Sequence, residues 1–281
     1  MDNTYTSRVA LRRSLISDRS EDVLAAKPII EPSVLEFYTW MTRTYLPMRF
    51  PTVFMLSPST DSLKNLVTGE ELPLVPATAK QALEIIGQNV DDDFLFLLPT
   101  AAEGKYRLEG FVTCFPSGFN TPQKLGMSLR DIHGPVPGYA QKLEKSMDRF
   151  FATLPVGKIV RRANWSITTH SRLFCLSGIH TSPEEAERLA REERGEWRIE
   201  DAVLRCERQT LHRLPGTKAL VFGFKTYQYP LEDVKDEGSG EELAAAIEGL
   251  ETGSIPGMRV YKSAVVWGDK TIAFLRGERD A

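Results

Sequence analysis

The stretch with the clearest chemical potential is 132–139, IHGPVPGY, which contains one of only four histidines in the chain. Each of its two prolines fixes its own φ and restricts the preceding residue to extended geometry. Gly134 allows the close approach of a flat group. An imidazole held this rigidly can present one ring nitrogen at a fixed angle, as a ligand of a metal or of haem iron must. The alternative is a structural turn in which His133 hydrogen-bonds the backbone, and this stretch alone leaves both interpretations open.

Two predicted strands carry further polar side chains, at 161–166 (RRANWS) and 207–210 (ERQT). Side chains alternate between the two faces of a strand. One face of the first strand therefore carries Arg162, Asn164 and Ser166, and the other carries Arg161, Ala163 and Trp165. On the second strand, Glu207 and Gln209 alternate with Arg208 and Thr210.

The arginines on these strands are candidates for anchoring a carboxylate, because the guanidinium presents paired donors in a fixed fork. The propionates of haem are one such carboxylate. The alternative is an ion-pair lattice across neighbouring strands, for example between Glu207 and Arg162. The strand segments by themselves do not separate these two interpretations.

The other three histidines and the cysteines give weaker signals. His170 and His180 adjoin polar residues and are predicted to lie at the surface, and His212 lies near a predicted hairpin turn. Cys114 is able to bind iron as a thiolate, but no basic residue adjoins it to favour that form. We therefore expect Cys114 to be a buried structural residue.

The composition bounds the class of protein. The 281 residues are 42% hydrophobic and 26% charged, which is typical of a globular protein with a sizeable core. A net charge of −3 disfavours nucleic-acid binding, and no apolar run approaches the roughly 18 residues of a membrane span. Three cysteines without a CxxC pair, and no secretory signal, favour a reducing, cytoplasmic setting. The absence of GxGxxG, GxxxxGK[ST], HExxH and GxSxG disfavours several large enzyme classes.

The pattern of apolar residues predicts an α+β fold, with helices at both ends around a run of antiparallel strands. We predict an N-terminal helical segment at 1–90, a core at 91–235 and a C-terminal helical extension at 236–281, which together form one integrated domain. The predicted helices include 8–26, 33–46 (begun by Ser33 and ended by Pro47), 78–88, 139–154 and 183–194. The predicted strands include 93–99, 106–115, 158–168, 199–213 and 218–229, the last two joined as a hairpin by the turn 214–217.

Taken together, three segments resemble the haem-dependent oxidative N-demethylase family, which includes the haem subunit of bacterial dimethylamine monooxygenase. They are 132–139 (IHGPVPGY), 162–166 (RANWS) and 205–215 (RCERQTLHRLP). Flanking segments at 46–51, 65–70 and 114–117 match in order and spacing. The resemblance covers nearly the whole chain, from about residue 2 to about residue 277.

The resemblance implies a haem b held by a PAS-like antiparallel sheet, in the core at 91–235. The family's chemistry is the reductive activation of O2 and the oxidation of a small, dimethylamine-like secondary amine to a primary amine and formaldehyde. Electrons come from NADPH through separate flavin and iron–sulfur reductase components. A reductase partner is therefore expected, and neither nucleic acid nor a membrane is.

Carried over by position, the resemblance implies that His133 is the axial ligand of the iron, with Gly134 and Pro135 beside the cofactor. Arg162 and Arg208 would contact the propionates or order the pocket. The residues expected to line the pocket and act in catalysis are Asn164, Trp165 and Gln209.

His212 stands where the bacterial members usually have arginine, so the sequence looks more like the fungal-type branch of the family, whose substrate the resemblance does not define. Two other functions stay open. One is a haem-binding PAS-like sensor without turnover, and the other is a degenerate interaction domain that has lost haem.

Overall fold

The structure, a computed structural model, describes residues 1–57, 59, 61–192 and 197–278. Its strands are β1 (Leu24–Ala26), β2 (Phe54–Ser57), β3 (Ser62–Asn65), β4 (Glu71–Pro73), β5 (Asp93–Pro99), β6 (Tyr106–Val112), β7 (Val160–Thr168), β8 (Val203–Arg213) and β9 (Leu220–Pro230). Within the described ranges, no helix combines the length and the apolarity that crossing a bilayer requires.

The helices lie mainly before and after the central strands. They are α1 (Tyr5–Asp18), α2 (Ser20–Val23), α3 (Glu31–Trp40), α4 (Leu46–Arg49), α5 (Ala79–Asn89), α6 (Thr121–Lys124), α7 (Leu129–Ile132), α8 (Glu144–Thr153), α9 (Pro183–Glu192), α10 (Leu231–Asp236), α11 (Gly240–Thr252), α12 (Met258–Tyr261) and α13 (Ala264–Arg276). Short 3₁₀ turns lie at Pro28–Ile30 and Ile199–Asp201, and π-helical turns at Met41–Tyr45 and Tyr139–Leu143. The last two residues of the helix predicted at 183–194 lie outside the described residues.

A six-stranded antiparallel sheet, in the order β1-β6-β5-β9-β8-β7, forms the centre of the molecule, and β2-β3-β4 form a second, small sheet. The long pairing of β8 with β9, from Val203 opposite Pro230 to Arg213 opposite Leu220, confirms the predicted hairpin. Helices and strands are mixed as predicted, and the α+β class is confirmed. The boundaries at 90 and 235 stay predictions, although one apolar cluster joins Phe37 and Phe94 across the first of them.

The register of β7, β8 and β9 defines one side of the sheet, which we call the polar face. Arg162 lies opposite Gln209, Asn164 opposite Glu207, and Ser166 opposite Arg205. Directly paired residues project to the same side of a sheet. These six residues therefore give the polar face two carboxamides, a carboxylate, a hydroxyl and two guanidinium groups.

Apolar clusters cover both sides of the sheet. On the side opposite the polar face, α3 and α5 pack on β5 and β9 through residues such as Phe37, Leu83 and Val221. The C-terminal helices pack on the same side of β7 through Ile167 and Trp267. On the polar face, Leu129 of α7 and Leu154 at the end of α8 pack against Leu211 and Leu220. This last cluster fixes α7, and the loop after it, against the polar face.

Two predicted helices differ from the structure. Residues 24–26 form β1, because they pair with β6 at the edge of the sheet. The helix predicted at 33–46 begins earlier, at Glu31, so Ser33 is not its N-cap. Pro47 does not end it either, because the π-helical turn at Met41–Tyr45 places this proline in the first turn of α4, where no backbone N–H is needed.

A buried ion pair fastens α1 to the sheet. Arg12, which is fully buried, donates to Asp93 Oδ1 at 2.7 Å and to the Gly87 carbonyl at 2.6 Å. Asp93 also accepts the backbone N–H groups of Cys114 and Phe115 at 2.8 and 2.9 Å. One carboxylate thus joins α1, the start of β5 and the segment that follows β6.

Replacing Arg12 by alanine is expected to lower the free energy of unfolding by about 3–5 kcal/mol, because Asp93 would stay buried without its counter-charge. Urea unfolding followed by circular dichroism measures this loss. The control is Arg13→Ala on the same helix, whose side chain is 36% exposed and pairs with Glu70. There a loss of about 1 kcal/mol or less is expected. Equal losses in the two variants would contradict the role given to Arg12.

His212 makes the stability depend on pH. It lies on the side opposite the polar face, with ring centroids 6.1 Å from Phe37 and 5.6 Å from Trp40. Burial lowers the pKa of His212 from 6.5 to about 4. The unfolded chain therefore takes up a proton near pH 6.5 and the folded chain only near pH 4, so stability is lost as the pH falls through this window.

His212→Phe is expected to reduce the loss of unfolding free energy between about pH 7 and about pH 5 by about 1–2 kcal/mol, since phenylalanine takes up no proton. Urea titrations of the variant and of the unchanged protein at both pH values measure the difference. If both proteins lost the same stability on acidification, His212 would not be a source of the acid sensitivity.

Candidate functional site

His133 follows α7, a one-turn helix that begins with a capping box between Ser128 and Asp131. Its Nδ1 lies 2.7 Å from the carbonyl oxygen of Leu129. A carbonyl only accepts, so Nδ1 carries the ring proton and Nε2 keeps its lone pair. The imidazole also stacks on Tyr139, with centroids 4.7 Å apart and an angle of 12° between the planes. The backbone bond expected of a structural turn is present, yet it uses only one of the two nitrogens.

The surroundings of His133 favour its neutral form. Burial lowers the pKa of His133, and the positive charges of Lys124 and Arg162 lower it further, against the opposing effect of the Leu129 bond. The side chain is half-buried. A neutral imidazole with one nitrogen bonded to a carbonyl is the form in which histidine binds a metal.

A hydrogen-bonded chain of side chains crosses the polar face. Arg162 Nε donates to Gln209 Oε1 at 2.6 Å, and Gln209 Nε2 donates to Glu207 Oε2 at 2.8 Å. Asn164 Nδ2 donates to the same Glu207 oxygen at 3.4 Å, and Lys262 Nζ donates to Asn164 Oδ1 at 3.4 Å. We call these five residues the Glu207 network. Among the described residues Gln209 stands between Glu207 and Arg162, in place of the direct ion pair considered from the sequence.

Strand alternation separates the residues that the resemblance grouped together. Arg162, Asn164 and Gln209 share the polar face, whereas Trp165 and Arg208 project to the opposite side. Trp165 packs against the C-terminal apolar cluster, and Lys262 Nζ lies 5.3 Å from the centroid of its ring. Arg208 is about half exposed and lies 3.7 Å from Asp92. The structure therefore does not bring these two residues to the face near His133.

Gly134 and Pro135 lie exposed immediately after His133. A Cβ added at Gly134 would approach the Asp131 carbonyl oxygen to 3.3 Å, a close contact with the turn itself. At this position glycine is thus explained by the local backbone. Nothing in these contacts places Gly134 or Pro135 against a bound group.

Lys124 was not anticipated from the sequence. It ends α6, where burial lowers the pKa of its amine. Its Nζ lies 5.2 Å from the centroid of Phe119 and 3.4 Å from the Ile132 carbonyl oxygen, next to His133. Among the described residues no carboxylate lies within ion-pair distance of Lys124 or of Arg162. Only the folded chain brings residue 124 to the His133 loop, so no local pattern could have identified it.

His170 and His180 were predicted to lie at the surface, and both predictions were wrong, because both side chains are half-buried. His180 stacks on Tyr261, with ring centroids 4.4 Å apart. Burial lowers the pKa of His180 to about 4, and the charge of Lys262 acts in the same direction. The burial of His180 results from the packing of α12 over this segment, which the surrounding polar sequence does not indicate. Cys114, by contrast, is buried as predicted.

A cavity of about 310 Å³ lies on the side opposite the polar face, between β7, β8 and the helices α10 and α11. Trp165, Leu204, Cys206 and Leu243 line it, together with Glu237 at its rim. His133 is not part of this cavity. The cavity and the imidazole are therefore separate features, on different sides of the sheet.

The residues near His133 fit the haem group that the sequence resemblance implies. A haem held by histidine would need an imidazole nitrogen for its iron, apolar surface for the macrocycle and cations for its two propionates. His133 Nε2 supplies the first. The rings of Phe222 and Phe224, 6.0 Å apart on the polar face, and Phe119, 6.3 Å from Phe224, supply apolar surface. Lys124 and Arg162 supply the cations.

The comparison with protein families also points to haem dependence. A family model described as haem-dependent oxidative N-demethylase, alpha subunit-like, matches residues 1–272. The match includes α1, both sheets, the His133 loop and most of α13. The chain therefore belongs to the haem-dependent oxidative N-demethylase, alpha subunit-like family.

Proposed function

We propose that the protein binds haem b through His133 and catalyses the oxidative N-demethylation of a small, dimethylamine-like secondary amine, releasing formaldehyde. The observation that carries the proposal is the His133 imidazole, whose Nδ1 is bonded to the Leu129 carbonyl and whose Nε2 keeps its lone pair. Family membership supports the haem dependence and the oxidoreductase class. When bound, haem iron supplies the activation of O2 and the redox chemistry.

Each part of the proposed site has a physical task. The Leu129 bond and the Tyr139 ring hold the imidazole at one angle, and its neutral form is available for ligation. Lys124 and Arg162 would neutralise the propionates, since neither has an ion-pair partner among the described residues. Lys124 takes the role that the sequence resemblance gave to Arg208.

Asn164 and Gln209 remain in the proposed catalytic pocket. Their carboxamides are held in the Glu207 network and line the polar face, where they would orient a small polar substrate and exclude bulk water. Trp165 would not line the pocket. Its side chain packs on the opposite side of β7 and would only stabilise the strand. Five strands of the sheet, in the order β6-β5-β9-β8-β7, would be the PAS-like element of the fold.

The electron supply is proposed from the sequence resemblance. Electrons would pass from NADPH through separate flavin and iron–sulfur proteins to the haem. A reductase is therefore the proposed protein partner, and the proposed compartment is the cytoplasm.

His133→Ala is expected to abolish the Soret band of the haem-reconstituted protein or to shift it, because the iron would lose its axial nitrogen. Absorption spectra of the ferric and ferrous protein measure this change. His170→Ala is the matched control, a second half-buried histidine for which the described residues show no contact with the His133 loop. A spectrum left unchanged by His133→Ala would exclude His133 as the ligand.

The reconstituted protein is expected to release formaldehyde from dimethylammonium chloride when supplied with NADPH, ferredoxin and a ferredoxin reductase. The reason is that the reaction needs both O2 and reducing equivalents. A colorimetric formaldehyde assay, with oxygen-free and NADPH-free reactions as controls, measures turnover. A Soret band without formaldehyde would point to a haem sensor, and the absence of any Soret band to an interaction domain.

A further inference from the structure

Glu207 is a buried carboxylate at the centre of the hydrogen-bonded network on the polar face. It lies in the middle of β8, is 6% exposed, and is the residue on which the network converges. Asn164 and Gln209 approach it from two sides, and both contacts use the same oxygen, Oε2. The other oxygen, Oε1, is buried and has no hydrogen-bond partner among the described residues.

The cations at the two ends of the network set the direction of its hydrogen bonds. Arg162 can only donate, so the oxygen of the Gln209 carboxamide faces Arg162 and its amine group faces Glu207. Lys262 likewise can only donate, so Asn164 turns its oxygen to Lys262 and its amine group to Glu207. Both carboxamides beside Glu207 are thus arranged to treat it as an acceptor.

The nearby cations are engaged elsewhere and do not reach Oε1. Arg205, the neighbour on the same face of β8, donates to the carbonyl oxygens of Phe115 and Leu173 at 2.8 and 3.1 Å. Lys262 Nζ donates to the carbonyl oxygen of Trp165. An acceptor buried without a donor is costly, and a carboxylate oxygen more so. Oε1 is therefore suited to a donor brought by a ligand.

We propose that Glu207 anchors the substrate, with an N–H of a small secondary alkylammonium ion donating to Oε1. The inference rests on the proposed function and names the group that selects its substrate. Phe224, directly opposite Gln209 on the polar face and 2% exposed, is an apolar neighbour that would exclude water from the methyl groups. Because Oε1 is shielded from solvent, an ion that reaches it loses water and forms a stronger, charge-assisted hydrogen bond.

This arrangement predicts the chemistry that the site selects. A secondary ammonium ion presents both a positive charge and an N–H donor, whereas tetramethylammonium has the charge without the donor. The protein should therefore bind dimethylammonium more tightly than tetramethylammonium. Glu207→Gln should remove that preference, because the amide oxygen would accept from Asn164 and Gln209 and the amide NH2 would then stand where Oε1 accepted.

The test is calorimetric titration of the haem-reconstituted protein with dimethylammonium chloride and, separately, with tetramethylammonium chloride. Glu207→Gln is expected to raise the Kd for dimethylammonium about 10- to 100-fold, the range for losing a hydrogen bond to a charged group. The Kd for tetramethylammonium should rise less, because this ion has no N–H and loses only the attraction of the charge. The matched control is Glu237→Gln, an exposed glutamate at the rim of the cavity on the opposite side of the sheet, and it should leave both values unchanged.

The outcomes separate this inference from the proposed function, because the Soret band is recorded on the same samples. No Soret band in the unchanged protein would overturn the proposed function. An intact Soret band in Glu207→Gln with an unchanged Kd for dimethylammonium would overturn only the anchor. If Glu237→Gln lowered the affinity for dimethylammonium and Glu207→Gln did not, the amine would be assigned to the cavity on the opposite side of the sheet. That result would also overturn the role of Glu207 as the anchor. If Glu207→Gln did not fold, Glu207→Asp would decide, since an unshifted preference for dimethylammonium in that variant would contradict a role for Oε1.

Discussion

The structure depends on one chain of buried polar contacts that passes from the first helix to the polar face. Arg12 pairs with Asp93, Asp93 accepts the N–H of Phe115, and the carbonyl oxygen of Phe115 accepts from Arg205. Both guanidinium groups are almost completely buried. Burying a guanidinium group is costly unless hydrogen bonds compensate for the lost water. The packing of α1, the end of β6 and the course of β8 are therefore tied to one another.

The burial of Arg205 in this chain of contacts also determines which side chains surround Glu207 on the polar face. Arg205 is bound to backbone carbonyl oxygens and fixes the segment after β6. Glu207, two residues along the same strand, has no ion-pair partner within the described part of the chain. Glu207 is stabilised by two carboxamides, whose orientation is set by Arg162 and Lys262. On the same side of the sheet, Leu129 packs into the apolar cluster and its carbonyl group holds His133. The imidazole and the carboxylate thus belong to one side of a single rigid sheet.

Much of this could be predicted because it depends on local chemistry. The β8–β9 hairpin follows from two β-rich runs around a Pro-Gly turn, and strand alternation correctly divided Arg162 and Asn164 from Trp165. The same alternation explains why Trp165 and Arg208 lie on the side of the sheet opposite Arg162 and Asn164, although the resemblance grouped all four residues. The family resemblance matched residues by their position along the chain. Consecutive residues of one strand, however, place their side chains on the two opposite faces of the sheet. Both predicted ends of the helix at 33–46 were wrong. Pro32 and Pro47 each lie in the first turn of a helix, where a proline is tolerated and does not end the helix.

The amino-acid sequence alone determined the family, the α+β class, the order of the long strands and the rigid loop around His133. These rest on periodicity, on the sterics of proline and glycine, and on segments that are contiguous in the chain. Only the tertiary structure decided which nitrogen of His133 is free, that no carboxylate of the described residues lies within ion-pair distance of Lys124 beside it, that His180 is half-buried and that two carboxamides donate to Glu207. Those features depend on contacts between residues tens of positions apart, and such contacts arise from the packing of whole elements.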